Sequence, residues 1–132
     1  MPGTDNLSGS QESRKKEDKQ YYQQDKQMGL EQEELTGSVI GAAIEVHKAL
    51  GPGFLESVYE NALALELAAR GIRFERQLAV PILYRGSKVG LHRLDLLVAA
   101  LIVVELKAVK ALEDVHFAVV RSYLRATGLS AG

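Results

Sequence analysis

The chain has no cysteine among its 132 residues. This absence excludes disulfide frameworks, cysteine nucleophiles, iron–sulfur ligation and the common structural zinc sites. Any metal must therefore be held by oxygen or imidazole ligands. The N-terminus lacks an apolar run of signal-peptide length, and no stretch approaches the roughly 20 apolar residues that span a bilayer. We therefore expect a cytoplasmic protein without a membrane partner.

A strong excess of one charge is also missing, since the formal net charge is −1. Residues 1–34 carry five Lys/Arg and eight Asp/Glu, whereas residues 35–132 carry eleven and nine. The second part is thus slightly basic. This balance is compatible with a nucleic-acid partner but does not by itself argue for one.

The polar N-terminal part contains almost no aliphatic residues that could be buried. Segments of this composition do not bury enough apolar surface to offset the entropy of ordering. We therefore predict a disordered polar tail over residues 1–34 and a single folded domain over residues 35–132.

The folded part predicts an α+β domain in which two helices precede a sheet and one helix follows it. A helix capped by Thr36 or Ser38 ends at Gly51-Pro52-Gly53, and a second helix completes a helical hairpin. About four strands follow, in an antiparallel or mixed sheet, and a C-terminal helix ends at Thr127-Gly128. The predicted ranges are 35–50 and 54–70 for the first helices, 72–84, 89–91, 94–98 and 101–106 for the strands, and 113–126 for the last helix.

Three ionisable residues interrupt the last two predicted strands: Asp95, Glu105 and Lys107. If the loop is 99–101, Val98 pairs with Ile102, and Asp95 lies opposite Glu105. Alternation then puts the three ionisable side chains on one face and aliphatic residues on the other. A two-residue loop would place Asp95 on the opposite face from Glu105.

Two opposed carboxylates and a lysine are suited to metal-dependent hydrolysis. Asp95 and Glu105 offer the hard oxygen ligands that Mg²⁺ or Mn²⁺ prefers, and Lys107 could orient a water or stabilise developing phosphorane charge. The alternative interpretation is structural, with an acid paired to Lys107 or Arg93 at a sheet edge.

A further motif precedes the second helix, in the run L-G-P-G-F-L-E-S-V-Y-E-N-A-L. Gly53, Glu56 and Tyr59 stand at the spacing G-x-x-E-x-x-Y. Taken alone, Glu56 is typical of a first-turn acid that complements the helix dipole, and Tyr59 of a core aromatic. Together with D-L-L-V, V-V-E-L-K-A-V and H-F-A-V-V-R-S-Y-L-R-A-T-G-L, the run resembles the bacterial GxxExxY protein family over about residues 35–130.

That family is similar to the PD-(D/E)XK nuclease superfamily. The resemblance implies a restriction-endonuclease-like core and an Mg²⁺- or Mn²⁺-dependent nuclease acting on DNA or RNA. It assigns Asp95 and Glu105 to the metal and Lys107 and Glu56 to catalysis. We further expect four residues to contact the substrate: Tyr59, Arg93, His116 and Tyr123. The alternative is a binding module for nucleic acid or protein that keeps the fold without turnover.

Two departures from the family pattern bear on these expectations. Val119 occupies a position where the family usually has Gln, between the matching His116 and Tyr123. The chain also stops where the family continues into another strand. We therefore expect a core truncated at the C-terminus, with self-association through an uncovered sheet edge.

Overall fold

The structure is a computed structural model that describes residues 5–132, apart from the side chains of residues 5–10, 21–28 and 30. Its elements are α1 (Asp5–Leu50), α2 (Glu56–Ala69), β1 (Phe74–Tyr84), β2 (Ser87–Val98), β3 (Ile102–Val104) and α3 (Asp114–Thr127). The predicted α+β class is confirmed. By its contacts the chain divides after Gly37, and the unit Ser38–Gly132 contains the whole sheet.

Helix α1 extends much further towards the N-terminus than the sequence predicts. It is helical from Asp5, where we predicted disorder, and residues 11–20 are exposed on every side. The composition accounts for this difference, because Gln, Glu, Lys and Arg favour helix without any burial. The predicted cap at Thr36 is wrong, since its hydroxyl lies inside the helix and donates to the Gln32 carbonyl at 2.7 Å.

The helix ends predicted at Gly51 and Gly128 are confirmed, and α2 also ends close to a glycine. Gly51, Gly71 and Gly128 all have positive φ and follow the last residues of α1, α2 and α3 closely. Gly128 has φ 71° and donates its N–H to the Leu124 carbonyl, which closes the last turn of α3. Glycine adopts this left-handed conformation without the steric cost of a Cβ.

The sheet has three strands in the order β1-β2-β3, and both pairings are antiparallel. It has one strand fewer than predicted, because the segments 89–91 and 94–98 form one continuous strand. Beyond β3, Ala131 forms an isolated parallel bridge with Ile102, and its carbonyl accepts the Val103 N–H at 3.1 Å. None of the helices in the described part of the chain combines the length and apolar character needed to cross a membrane.

The predicted register of the β2–β3 hairpin is confirmed. Val98 pairs with Ile102 and Leu97 with Val103. The alternation is also clear in β2, where Leu94, Leu96 and Val98 are fully buried. The opposite face is less polar than predicted, because Val103 is buried there and only the end near Asp95 carries charge.

The buried core draws on both helices of the hairpin and on all three strands. Buried aliphatic side chains lie at the following positions: Val39, Ala42, Leu63, Ala64, Leu67, Val80, Leu94, Leu96, Val98, Ile102 and Val103. Helix α3 packs against β1 and β3, with Tyr123 and Leu124 against the cluster of Val80, Leu94 and Val103.

The turn between β2 and β3 is built from non-glycine residues in left-handed conformation. Ala99 has φ 50° and Ala100 has φ 58°, and the Leu101 N–H donates to the Val98 carbonyl. Because a Cβ disfavours this conformation, replacing Ala99 by Asn and Ala100 by Gly should raise the free energy of unfolding by ~1 kcal/mol. Urea denaturation measures the change.

Ala111→Gly is the matched control, since Ala111 is exposed at a bend and is not among the residues with positive φ. We expect that variant to be no more stable than the parent. Equal stabilisation by both variants would show that the turn carries no strain.

Candidate functional site

Asp95 and Glu105 meet at the open end of the β2–β3 hairpin. The Asp95 N–H donates to Glu105 Oε1 at 3.2 Å, and the Leu106 N–H donates to Asp95 Oδ2 at 2.9 Å. Strand β3 ends at Val104, so these side-chain bonds continue the strand pairing beyond the ladder. The predicted opposition of the two acids is therefore present, and each carboxylate accepts a backbone N–H from the opposite side of the hairpin.

The environment of Glu105 disfavours its charge. Burial is the main cause that raises the pKa of Glu105 from 4.5 to about 7. The Asp95 N–H hydrogen bond and the Lys107 charge oppose this rise, and the Asp95 charge adds to it. At neutral pH Glu105 thus stands close to the midpoint of its titration.

A third acid, Glu60 on α2, is connected to Asp95 through Gln77. We did not identify it from the sequence. Its side chain is 9% exposed and forms an ion pair with Arg76 at 2.7 Å. Gln77 Nε2 donates to Glu60 Oε1 at 2.5 Å and lies 3.5 Å from Asp95 Oδ1. Gln77 therefore bridges the helix acid and the strand acid.

Gln77 makes this bridge from an unusual backbone conformation. Its φ is 52°, although it lies within β1, between Arg76, which pairs with Leu96, and Leu78, which pairs with Leu94. The Gln77 carbonyl accepts a bond from Arg93 Nη1 at 3.3 Å, so the distorted residue is held on both sides. Such conformations cost free energy and often occur at functional sites.

The sequence signal that could have indicated Glu60 is its i, i+4 spacing from Glu56.

Glu56, at the start of α2, contacts the segment that follows β3, and this segment contains Lys107. Glu56 Oε1 accepts the Ala108 N–H at 3.2 Å, which ties the start of α2 to the residue after Lys107. Both side chains are exposed and line the same groove. We predicted that strand alternation places Lys107 on the face of the two acids. Because residues 105–107 lie outside β3, the loop places Lys107 instead.

The four residues predicted to contact substrate lie in different surroundings. Tyr59 donates to the Gly51 carbonyl at 2.6 Å and so holds the loop between α1 and α2. His116 Nδ1 accepts the Glu113 N–H at 2.9 Å at the start of α3. Arg93 is engaged with Gln77, as described above.

Among those four residues, Tyr123 has a pKa that responds to the charges of the acid pair. Burial, followed by the charges of Glu105 and Asp95, raises the pKa of Tyr123. Its ring packs edge-on against His92, with centroids 4.4 Å apart, and His92 Nε2 lies 3.2 Å from Ser122 Oγ. The Ser122 hydroxyl in turn donates to the carbonyl of Val119 at 2.6 Å, so Val119 takes part in α3 through its backbone.

A comparison with protein-family models decides the family. The model of the PD-(D/E)XK nuclease superfamily matches residues 33–132. The chain belongs to this superfamily. The comparison with curated proteins and the comparison with solved structures give no match. The narrower GxxExxY assignment rests on the sequence motif and stays a prediction.

Members of the PD-(D/E)XK superfamily typically use divalent metals. In the described part of this chain, no group of three or more His, Cys, Asp or Glu side chains is placed to hold a metal ion. Asp95 and Glu105 are two neighbouring carboxylates whose oxygens could hold a divalent cation that keeps several of its waters.

The pKa of Glu105 makes the stability of the metal-free protein depend on pH. The folded state holds this proton more tightly than the unfolded chain, so the stabilisation is full below pH 4.5 and is lost as the pH rises to about 7. Glu105→Gln keeps an acceptor for the Asp95 N–H but does not titrate. Between about pH 5 and about pH 8 the parent should lose ~1–2 kcal/mol more unfolding free energy than this variant. The loss is no larger because solvent screens the half-buried group.

Urea denaturation in a chelator, at about pH 5 and about pH 8, measures this difference. Glu75→Gln, on an exposed position of β1, is the matched control and should follow the parent at both pH values. Parallel pH profiles for the parent and Glu105→Gln would contradict the raised pKa.

Proposed function

We propose that this protein is a Mg²⁺-dependent phosphodiesterase that hydrolyses DNA or RNA, with Mn²⁺ as a substitute. The observation that carries the proposal is the contact of Asp95 and Glu105 at the hairpin end, in a chain of the PD-(D/E)XK nuclease superfamily. Two adjacent carboxylates that are half-buried and repel each other favour a bound cation.

Asp95 and Glu105 would provide the oxygen ligands for the metal. When bound, Mg²⁺ supplies Lewis-acid stabilisation of phosphoryl oxygens and activation of a water. Gln77 and the ion pair of Glu60 with Arg76 hold Asp95 in place, which keeps the ligands preorganised. This support comes from α2 and β1 and leaves the side of Lys107 and Glu56 open to the groove.

Lys107 and Glu56 are the residues we assign to the chemical step. The Lys107 ammonium acts on Glu105 electrostatically and is exposed, so it can orient the attacking water or stabilise charge on the phosphoryl group. Glu56 fixes the backbone at Ala108 and thereby the position of Lys107. Its remaining carboxylate oxygen is available to a water.

One observation favours the alternative of a binding module without turnover. Val119 stands where the related family usually has Gln, and it provides no polar side chain beside Tyr123. In that case the acid pair would bind a cation or proton for stability, and nucleic acid or protein would bind without hydrolysis. Metal binding and cleavage therefore need separate tests.

Addition of Mg²⁺ or Mn²⁺ should stabilise the protein, because a ligand that binds only the folded state raises the free energy of unfolding by mass action. At a concentration of about 100 times the Kd the gain is ~2.7 kcal/mol. Asp95→Asn should abolish most of this gain. Thermal or urea denaturation with and without metal provides the measurement.

Asp114→Asn is the control for that experiment, because Asp114 is an exposed acid in the first turn of α3. It should retain the metal response of the parent. A parent without any metal-dependent change, or an unchanged response in Asp95→Asn, would argue against a metal at Asp95.

Lys107→Ala should lower the rate of Mg²⁺-dependent cleavage by about a hundredfold or more, while metal binding is largely kept because both carboxylates remain. Lys107→Arg should restore little, since the planar guanidinium is larger than the compact ammonium and places its charge and donors differently. Gel-based cleavage of single-stranded and duplex DNA and RNA measures the rates. Lys88→Ala, at an exposed position near the start of β2, is the control. Parental rates in both Lys107 variants would show that Lys107 has no catalytic role.

A further inference from the structure

A groove of about 520 Å³ opens directly beside the candidate active site. It lies between the end of α1, the loop 51–55, the start of α2 and the segment 106–110 after β3. Its size falls within the range of small-ligand pockets. Glu56 and Lys107 line it, so the groove is continuous with the site assigned above.

The walls of the groove are mostly apolar, and two aromatic residues line it, Phe54 and Tyr59. Phe54 is 48% exposed, although it is a large hydrophobic residue. Its ring packs edge-on against Tyr59 at 6.2 Å, and its N–H lies 3.3 Å from the Tyr59 hydroxyl oxygen, which accepts the bond. Because Tyr59 is itself tied to the Gly51 carbonyl, the Phe54 ring is held in place while about half of the residue stays exposed.

The charged residues of the groove favour an anionic ligand. Lys107 and Lys110 are both exposed there, and Glu56 is the single carboxylate among the described lining residues. One oxygen of Glu56 is already engaged by the Ala108 N–H. An apolar pocket with an aromatic ring, flanked by two ammonium groups, matches a flat apolar base joined to phosphates.

We propose that this groove holds one unstacked base of a single-stranded nucleic acid, with Phe54 stacking on the base and Lys110 contacting a neighbouring phosphate. The inference rests on the proposed function and specifies its substrate class, since the strand would continue from the groove to Lys107 and the acid pair. A base within a duplex presents no free face to Phe54, whereas every unpaired base does.

The charge balance also favours a single strand over a duplex. Residues 35–132 carry only two more Lys/Arg than Asp/Glu, and binding to a duplex depends strongly on neutralising many phosphates. Base stacking supplies affinity that does not need a broad basic surface. The groove provides such a contact at the place where the chemistry would occur.

Phe54→Trp gives a direct test, because the chain contains no tryptophan and the new indole would report on this position alone. A single-stranded oligonucleotide added in the presence of a chelator should quench the indole fluorescence by stacking, without cleavage. Phe117→Trp is the matched control, since Phe117 is 50% exposed on α3 and does not line the groove. Its fluorescence should not change.

Affinity measured by fluorescence anisotropy of a labelled oligonucleotide supplies the second readout. Phe54→Leu keeps an apolar side chain but removes the aromatic face, and it should weaken binding of a single strand about tenfold. Lys110→Ala should also weaken binding and reduce its dependence on salt. An abasic oligonucleotide should bind the parent as weakly as the normal oligonucleotide binds Phe54→Leu.

Equal quenching of Phe54→Trp by a duplex and a single strand, equal quenching of Phe117→Trp, or parental affinity in Phe54→Leu would overturn the proposal. So would protection of the groove by a protein partner with no response to any oligonucleotide. The binding assay is independent of cleavage. Quenching without metal-dependent cleavage would refute the proposed function but support the groove, and cleavage without quenching would do the reverse.

Discussion

The contact between Asp95 and Glu105 is the constraint on which this structure depends. Burial disfavours the charge of Glu105, and the charge of Asp95 disfavours it further. Backbone donors from Asp95 and Leu106 stabilise the arrangement. A one-residue slip of β2 on β3 would separate the acids and also expose Leu94, Leu96 and Val98. The hydrophobic core and the site therefore specify the same register.

The network behind the pair shows why this position tolerates charge. Arg76 is shared between Glu60 and the amide of Asn61, and Glu60 is shared between Arg76 and Gln77. Among the described residues, no buried side-chain polar atom lacks a hydrogen-bond partner. A buried ion pair of this kind adds little net stability but is costly to break. Its value here is in orientation, since it fixes Gln77 beside Asp95.

The sequence predicts this hairpin and its acids because alternation in β2 is unambiguous: the buried residues are aliphatic and Asp95 lies between two of them. The spacing of Glu60 from Glu56 could indicate that the two lie on one face of α2, but the contact of Glu60 with Gln77 depends on a backbone distortion that no local pattern indicates. The sequence also does not place Lys107, because alternation ceases at Val104. The number of strands and the start of α1 differ from the prediction for a related reason. Local composition does not show whether His92 and Arg93 interrupt a strand, or whether a polar segment is helical without burial.

The segment from Glu105 to Lys110 links the acid pair to the groove through a few residues of backbone. Glu56 anchors its middle at Ala108, Lys107 acts electrostatically on Glu105, and Lys107 and Lys110 line the groove. The charge state of Glu105 and any anion in the groove are consequently coupled through Lys107, because a lysine that neutralises a phosphate stabilises the Glu105 carboxylate less. A cation at the acid pair reverses this effect, since it replaces the stabilisation that Lys107 provides. Metal and anionic ligand should thus favour each other's binding, and by thermodynamic reciprocity the effect must be equal in both directions.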